Sequence, residues 1–597
     1  MEKVAVLDSG GQYCHLIARK IRDLGVYAEI LPLDVPPRDL SPYRGVIISG
    51  GPSSVFAPSS PRPDEDLFRI RRPILGICYG HQLMAHVLNG IVEPGDMHEF
   101  GEADLRVRRE TPLFTGLVHR QRIWMSHGDQ VVRLPSGFET LADTRQCGVA
   151  AMGHFKRKYF GLQFHPEVVH TIHGAEILNN FLADVCGCTM NWHPENRVSQ
   201  LHSHIIRKTK GRRVLFFLSG GVDSAVAYAL TVGALKPSLV HGVYVDTGLM
   251  REGETVEIKD TLRKLGLGSV EVLSARGRFL SALNKITDPE KKREVIGRLF
   301  VDLQDEVLQR EEFSEQDWLL GQGTIYPDTI ESGDTKNAAV IKTHHNRVQR
   351  IRELIEQDRV LEPLTEFYKD EVRVLGRVLG LPNNLIERHP FPGPGLAIRC
   401  LCAPRVARPE SDSEINDVAR KQGYRAFTVP LRSVGVQGDS RSYANLTVLY
   451  NGVFDYRQLL PLATSITNKF RQTNRVVYSL SPKRLRPSEW KIHQAFVTMK
   501  RVALLQEADS IVTKFLHSQG FYKSVWQFPV VLLPFTRKGG ETIALRPVKS
   551  VDGMTAEVAQ LPVTRFMSLV EQLNNLPDIE AVFLDLSNKP PSTIEWE

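Results

Sequence analysis

Cysteine is scarce in this chain, with seven in 597 residues. An odd, thinly spread set argues against a disulfide framework and points to a reducing compartment, the cytoplasm. The two C-x-C pairs, Cys186/Cys188 and Cys400/Cys402, lack the companion Cys or His clusters of a zinc site and read as packing residues. Long apolar runs are missing as well, so no membrane-spanning segment is expected. The opening MEKVAVLDSG has no basic n-region or cleavage site of a secretory signal. Neither sign of charge dominates: 75 Lys and Arg against 68 Asp and Glu leave a net charge of +7. The basic clusters RKTKGRR (207–213) and KKR (291–293) are short and carry no interleaved aromatics. They suit a solvated face or a phosphate-bearing small molecule better than nucleic acid.

What is present is ordinary in bulk and specific in detail. Hydrophobic residues at 42% and charged residues at 24% are soluble-globular values, and the length allows three or four domains with separate cores. KVAVLDSG, RGVIISGG and RPILGICYG each read as an apolar strand ending in small residues. They alternate with helical patterns, so a mostly parallel sheet is expected, with its site in the loops at the strands' C-terminal ends. The pattern fades near CGCTMNWHPEN (186–196) and resumes at RRVLFFLSGGVDSAVAYAL, followed by LVHGVYVDTGLM. That second unit ends at HPFPGPGLAIR (389–399). The expected fold class is therefore α/β multidomain: two parallel-sheet domains at 1–190 and 191–398, then an α+β region. In that last region, strand, hairpin, strand, helix, strand occurs twice, first around AFTVPLRSVGVQGDSRSY and NRVVYSLS, then around QFPVVLLPFTRKGGETIALRPV and IEAVFLDLS. This echo predicts two similar subdomains, 399–500 and 501–597.

Residues 74–83, ILGICYGHQL, set Cys78 on a tight bend between glycines. A lone buried cysteine is ordinarily a small hydrophobe. A nucleophilic one needs a base to take its proton and a partner to fix that base's tautomer. GLQFHPE (161–167) offers both, since Pro166 disfavours helix and lets His165 and Glu167, two apart, face one side. The pair of motifs resembles the class I glutamine amidotransferases, a flavodoxin-like fold. The resemblance implies a triad of Cys78, His165 and Glu167 that frees ammonia from glutamine through a glutamyl thioester. It puts the oxyanion on the backbone N–H groups of Gly51 and Tyr79, and the substrate glutamine against Gln82 and Asp129.

The second signal is LSGGVDS (218–224), after a strand and opening a helix. Glycine-turn N–H groups at a helix N-terminus cradle anions. No lysine closes the loop, so it is not the P-loop of nucleoside triphosphatases. It resembles the pyrophosphate loop of N-type ATP pyrophosphatases, an adenine-nucleotide α-hydrolase-like fold. The resemblance implies ATP binding by Leu218, Ser219, Gly220, Gly221, Val222, Asp223 and Ser224. Asp223 would hold Mg2+, Val245 in VYVDTGL would lie at adenine, and Lys342 in IKTHHN would reach phosphate.

With GQGTIYPDTIES (321–332), HPFPGPGLAIR, SVGVQGD (433–439) and KPPSTIEWE (589–597), the chain is similar over its whole length to the glutamine-hydrolysing GMP synthases. The resemblance implies that xanthosine 5′-monophosphate (XMP) is adenylated and then aminated. XMP contacts would fall on Arg293, Asp439, Arg441, Gln527, Lys589 and Glu595. The short form of that family dimerises through one C-terminal subdomain; the two copies here imply a monomer with an internal pseudo-dimer. Two alternatives stand beside this reading. One is another glutamine-dependent ligase, such as NAD synthetase, whose glutaminase has a different Cys-Glu-Lys constellation. The other is a non-catalytic glutamine or nucleotide sensor, in which nucleophile, base or loop would be the first to decay.

Overall fold

The computed structural model describes residues 2–11, 13–268, 270–310, 313, 317–332, 354, 357–437, 440–482, 484–550 and 555–597. At 95–98, 100, 330–332, 437, 440 and 441 only the backbone is described. Of the expected site residues, Lys342 and Asp439 lie outside the described residues, as does the side chain of Arg441. The chain divides into two compact units. The first is 1–197 with 325–340 and 365–371, and the second is the remainder.

In the first unit the short apolar runs form strands β1 (Lys3–Asp8), β2 (Tyr27–Pro32), β3 (Gly45–Ile48) and β4 (Ile74–Ile77). They are joined by β5 (Ile91–Val107), β6 (Arg120–Arg133), β7 (Glu139–Asp143), β8 (Ala151–His154) and β9 (Tyr159–Leu162). The sheet order is β2-β1-β3-β4-β9-β8-β7-β5-β6. The first five strands run parallel, and the rest are attached antiparallel. Strands buried on both faces read as unbroken Val/Ile/Leu runs; all four residues of β3 and of β4 are buried. Helix α1 (Cys14–Asp23) turns Cys14, Ile17, Ala18 and Ile21 inward, at helical spacing. Residues 325–332 and 365–371 join this unit around Arg22, whose guanidinium lies 4.4–5.6 Å from the ring centres of Tyr27, Trp192, Tyr326 and Tyr368.

The second unit opens with a parallel sheet of β10 (Arg213–Leu218), β11 (Val240–Asp246), β12 (Val270–Ser274), β13 (Trp318–Gly321) and β14 (Val360–Leu361), in the order β12-β11-β10-β13-β14. The order reverses between β10 and β13, so their C-terminal loops face a crevice in which ligands of open α/β sheets bind. Those loops hold SGGVDS and GQGT.

The α+β region follows as a six-stranded sheet. Its strands are β15 (Arg425–Gln437), β16 (Ser440–Tyr450), β17 (Thr473–Ser481), β18 (Val530–Leu533), β19 (Glu541–Leu545) and β20 (Ile579–Asp585). The order is β15-β16-β17-β20-β19-β18. Within each half the first pair is antiparallel and the second parallel, and the halves meet through antiparallel β17 and β20. Each half carries its crossover helix, Tyr456–Lys469 in one and Val563–Asn574 in the other. Leu459 and Ile466 of the first helix and Phe566 and Leu569 of the second share a single core, as the right-handed rule for parallel crossovers expects of helices on one face.

Candidate functional site

The bend after β4 is built by exclusion of side chains. A Cβ on Gly76 would lie 2.4 Å from the Gly80 carbonyl oxygen, and one on Gly80 equally close to that of Ile48. Only glycine lets helix α2 (Tyr79–Val87) start this tightly against the strands. Between them Cys78 takes φ 51° and ψ −104°, a backbone conformation L-residues avoid. Strain of about 1–3 kcal/mol is typical of such a position and clusters at functional sites. It displays a cysteine at the head of a helix, where the Tyr79 N–H has no intrahelical acceptor.

His165 and Glu167 lie beside it. His165 Nδ1 is 2.7 Å from Glu167 Oε1, and both side chains are buried. Burial opposes charge on the imidazole, but the Glu167 carboxylate and a hydrogen bond with Cys78 outweigh it and hold His165 well above its ordinary value. With Nδ1–H given to Glu167, Nε2 is the ring atom left for the thiol proton. The SGG loop after β3 closes on the triad, since a Cβ on Gly50 would sit 3.0 Å from His165 Cε1 and 3.6 Å from Cys78 Cβ. Gln82 is buried, and its amide donates to the Asp129 carbonyl (2.7 Å) and to Gln163 Oε1 (3.3 Å), tying the S-H-G-D stretch to the elbow helix.

Sequence reasoning passed over several neighbours. Gln163 Nε2 donates to Cys78 Sγ at 3.8 Å, and the Cys78 thiol is 3.5 Å from the Ser126 carbonyl. Thr171 donates to the His165 carbonyl at 2.6 Å, and the Tyr13 ring meets His165 edge-on at 5.2 Å. Gln163 was findable: two residues before His165 in an extended segment, it falls on the same side.

In the second unit the loop 218–224 runs from β10 into the helix Val222–Ala234. Gly220 adopts φ +78°, and a Cβ there would strike Ile258 and Glu254. Gly221 N–H donates to Ser219 Oγ, which lies 3.2 Å from Ser224 Oγ. Asp223 is in the helix's first turn with Oδ1 buried. GQGT packs directly on this turn, since a Cβ on Gly323 would come 2.7 Å from Ser224 N. Val245, near the end of β11, is buried alongside.

A third cluster gathers the tail. Residues 591–596 run along β15, with Val436 N–H donating to the Pro591 carbonyl (2.7 Å) and Val434 N–H to that of Trp596 (2.9 Å). Trp596 is fully buried. The Glu595 carboxylate receives Arg399 through both Nε (2.8 Å) and Nη2 (2.7 Å), and Gln527 Nε2 at 2.9 Å. Burial would raise its pKa, yet the Arg399 charge and these hydrogen bonds hold it below the usual carboxylate value. Arg293 donates to the Glu597 carbonyl and buried Lys292 pairs with the Glu597 side chain. Two expected residues, Arg293 and Gln527, are thus drawn to the tail that carries a third, Glu595, and Lys589 precedes Glu595 on it, bonded through its backbone to Ala556. Arg399 gave no signal in sequence, because its partner is 196 residues away.

Comparison with known proteins now decides the family. Residues 5–185 match the class-I glutamine amidotransferase family, and 514–596 match the GMP synthase C terminal domain. A protein of Leptospira interrogans named "Probable GMP synthase (glutamine-hydrolyzing)" is 41% identical over 100% of this chain and 99% of its own. The chain belongs to the GMP synthase family. A GMP synthase of Aquifex aeolicus is 37% identical over 100% of this chain and 99% of its own length. One from Caldicellulosiruptor saccharolyticus, 41% identical, aligns over 99% of itself but only 82% of this chain. No helix among the described residues is long and apolar enough to cross a membrane.

Proposed function

We propose that the chain hydrolyses glutamine at Cys78, adenylates XMP with ATP in the second unit, and aminates the product to GMP with release of AMP and pyrophosphate. The observation that carries the glutaminase step is the 2.7 Å His165–Glu167 bond beside a cysteine held at φ 51°. Cys78 Sγ gives its proton to His165 Nε2 and attacks the side-chain carboxamide. The oxyanion meets the N–H groups of Tyr79 and Gly51, and the imidazolium returns its proton to departing ammonia. Glu167 keeps the imidazole in the tautomer that can do this.

For the adenylation step, the glycine turn and helix N-terminus at 219–224 suit pyrophosphate oxygens. The donor set suits Mg2+: a hard cation takes oxygen ligands and, with nucleotides, needs only one or two carboxylates besides the phosphates. Asp223 supplies one, flanked by the Ser219 and Ser224 hydroxyls, and when bound the ion would neutralise charge on the phosphates. Lys342 is assigned to phosphate and Val245 to adenine. XMP is assigned to Arg293, Asp439, Arg441, Gln527, Lys589 and Glu595; its phosphate suits the cations, and Glu595 suits donors on the purine ring.

The XMP assignment joins the hairpin of β15 and β16, from the first half of the sheet, to a tail from the second. A twice-used β-β-α-β order and a shorter relative covering 82% of this chain support an internal duplication serving as a pseudo-dimer. We therefore assign a cytoplasmic monomer; a stable dimer by light scattering at micromolar protein without XMP would count against it. The deciding assay supplies XMP, MgATP and glutamine and reads GMP, AMP, pyrophosphate and glutamate. Glutamine hydrolysis with XMP left untouched would overturn the function.

A further inference from the structure

A cavity of about 450 Å3 opens on the first half of the α+β sheet, and none of the residues assigned above is among those that line it. Three arginines from three elements line it: Arg408 from the loop before the helix Ser413–Arg420, Arg420 from that helix's last turn, and Arg425 from the first residue of β15. None of the three is within ion-pair distance of a carboxylate among the described residues, whereas Arg399, Arg475 and Arg501 in the same region are all paired. The three are solvent-exposed, and like charges around one hollow make a positive potential that draws an anion. Asn416 adds a donor of fixed direction: its Oδ1 accepts the Ala426 N–H at 3.0 Å, so its NH2 is left over. One carboxylate, Glu410, faces this cationic set, and the Phe427 and Tyr450 rings, packed edge-to-face at 5.4 Å, form an apolar wall.

We propose that this cavity binds a purine nucleoside phosphate, with Arg408, Arg420 and Arg425 on the phosphate and Glu410 accepting from the base. The volume is that of small-molecule sites. Guanidinium forks match phosphate oxygens in pairs. A single acceptor among donors favours a base that presents N–H groups, which guanine does along its N1–N2 edge and adenine does only through N6. Phosphate is the shared chemistry of three of the reaction's products, GMP, AMP and pyrophosphate; the lone acceptor Glu410 disfavours AMP, and the test separates the other two.

Equilibrium dialysis with labelled GMP measures equivalents bound per chain for wild type and for Arg420→Ala/Arg425→Ala. The wild type is expected to bind two equivalents, one at the XMP site, and the double variant one. The variant's rate of GMP synthesis at saturating XMP should stay within twofold of wild type. Arg420→Lys, which keeps charge but loses the fork, should retain the second equivalent at roughly tenfold weaker affinity. An unchanged GMP stoichiometry in the double variant overturns the proposal. Labelled pyrophosphate is the other arm: if the variant loses a pyrophosphate equivalent while binding GMP as wild type does, the base is not read and the nucleotide assignment is overturned. Because stoichiometry is read without turnover, a failure here is distinguishable from failure of the proposed synthesis.

Discussion

The glutaminase site and the tail cluster solve one problem in opposite ways. Both place a buried carboxylate against a cationic or protonatable partner, Glu167 against His165 and Glu595 against Arg399. The first arises from residues two apart and needs only a local extended segment. Cys78 is 87 positions upstream of His165, just past the end of β4, which neighbours the β9 strand that leads to His165. The second ties residues 196 apart and exists only once the tail has docked. One site stores backbone strain in a cysteine that can react. The other is held by paired charge, so its loss should be felt as stability as well as activity.

Removing the nucleophile is the sharpest way to break this comparison. Cys78→Ala should abolish glutamine-driven GMP formation, by at least about 10³-fold, yet leave the rate with ammonium chloride within twofold. Asp223→Ala should remove activity with either nitrogen source. If Cys78→Ala were dead with ammonia too, the two sites would not be separable modules. Arg399→Ala comes next. It removes the ion-pair partner of Glu595 and leaves Asp509, 3.5 Å from the same guanidinium, with Arg251 as its remaining partner among the described residues, and breaking a buried pair costs about 3–5 kcal/mol. A shift in urea midpoint together with loss of activity on both nitrogen sources is expected. An unchanged midpoint would show that the tail is not held by charge.

What could be read from sequence follows the same division. The parallel strands of both units, the Cys78 elbow and the glycine turn at 218–224 were legible because each rests on contiguous residues: apolar runs ending in small residues, then a helix. The β-β-α-β echo was legible as pattern, while its joining through antiparallel β17 and β20 was not, because strand pairing across a hundred residues leaves no local trace. The pairings of Arg399 and Lys292 with the tail were invisible for that reason, whereas the Arg408/Arg420/Arg425 cavity is local in sequence and was missed because scattered exposed arginines form no motif. Gln163 was legible in principle through its two-residue offset from His165.

Glu167→Gln has a smaller and pH-dependent effect. His165 is raised in the folded state above its ordinary 6.5. The stability this pair contributes is therefore fully present below about pH 6.5 and lost as pH rises through the folded value. In the variant that contribution disappears, so its melting temperature should fall furthest below wild type at pH 6 and converge with it in alkali. Glutaminase kcat/KM should drop by about 10²-fold or more, the range of a mispositioned general base, with ammonia-driven synthesis unchanged. A melting difference constant from pH 6 to 9 would show that Glu167 does not charge the imidazole.

The least change separates strain from chemistry at a single position. Cys78→Ala and Cys78→Gly both lack the thiol, and both should be equally inactive with glutamine. They differ in that alanine must still occupy φ 51°, ψ −104°, which glycine adopts freely. If the elbow stores strain, glycine should be the more stable variant by about 1 kcal/mol despite its larger unfolded-state entropy. In this interior such a gain would shift the denaturation midpoint upward relative to alanine. Equal midpoints would mean that surrounding contacts, with Gly76 and Gly80 already fitted to the bend, bear the conformation without cost, and that the cysteine's display owes nothing to stored energy.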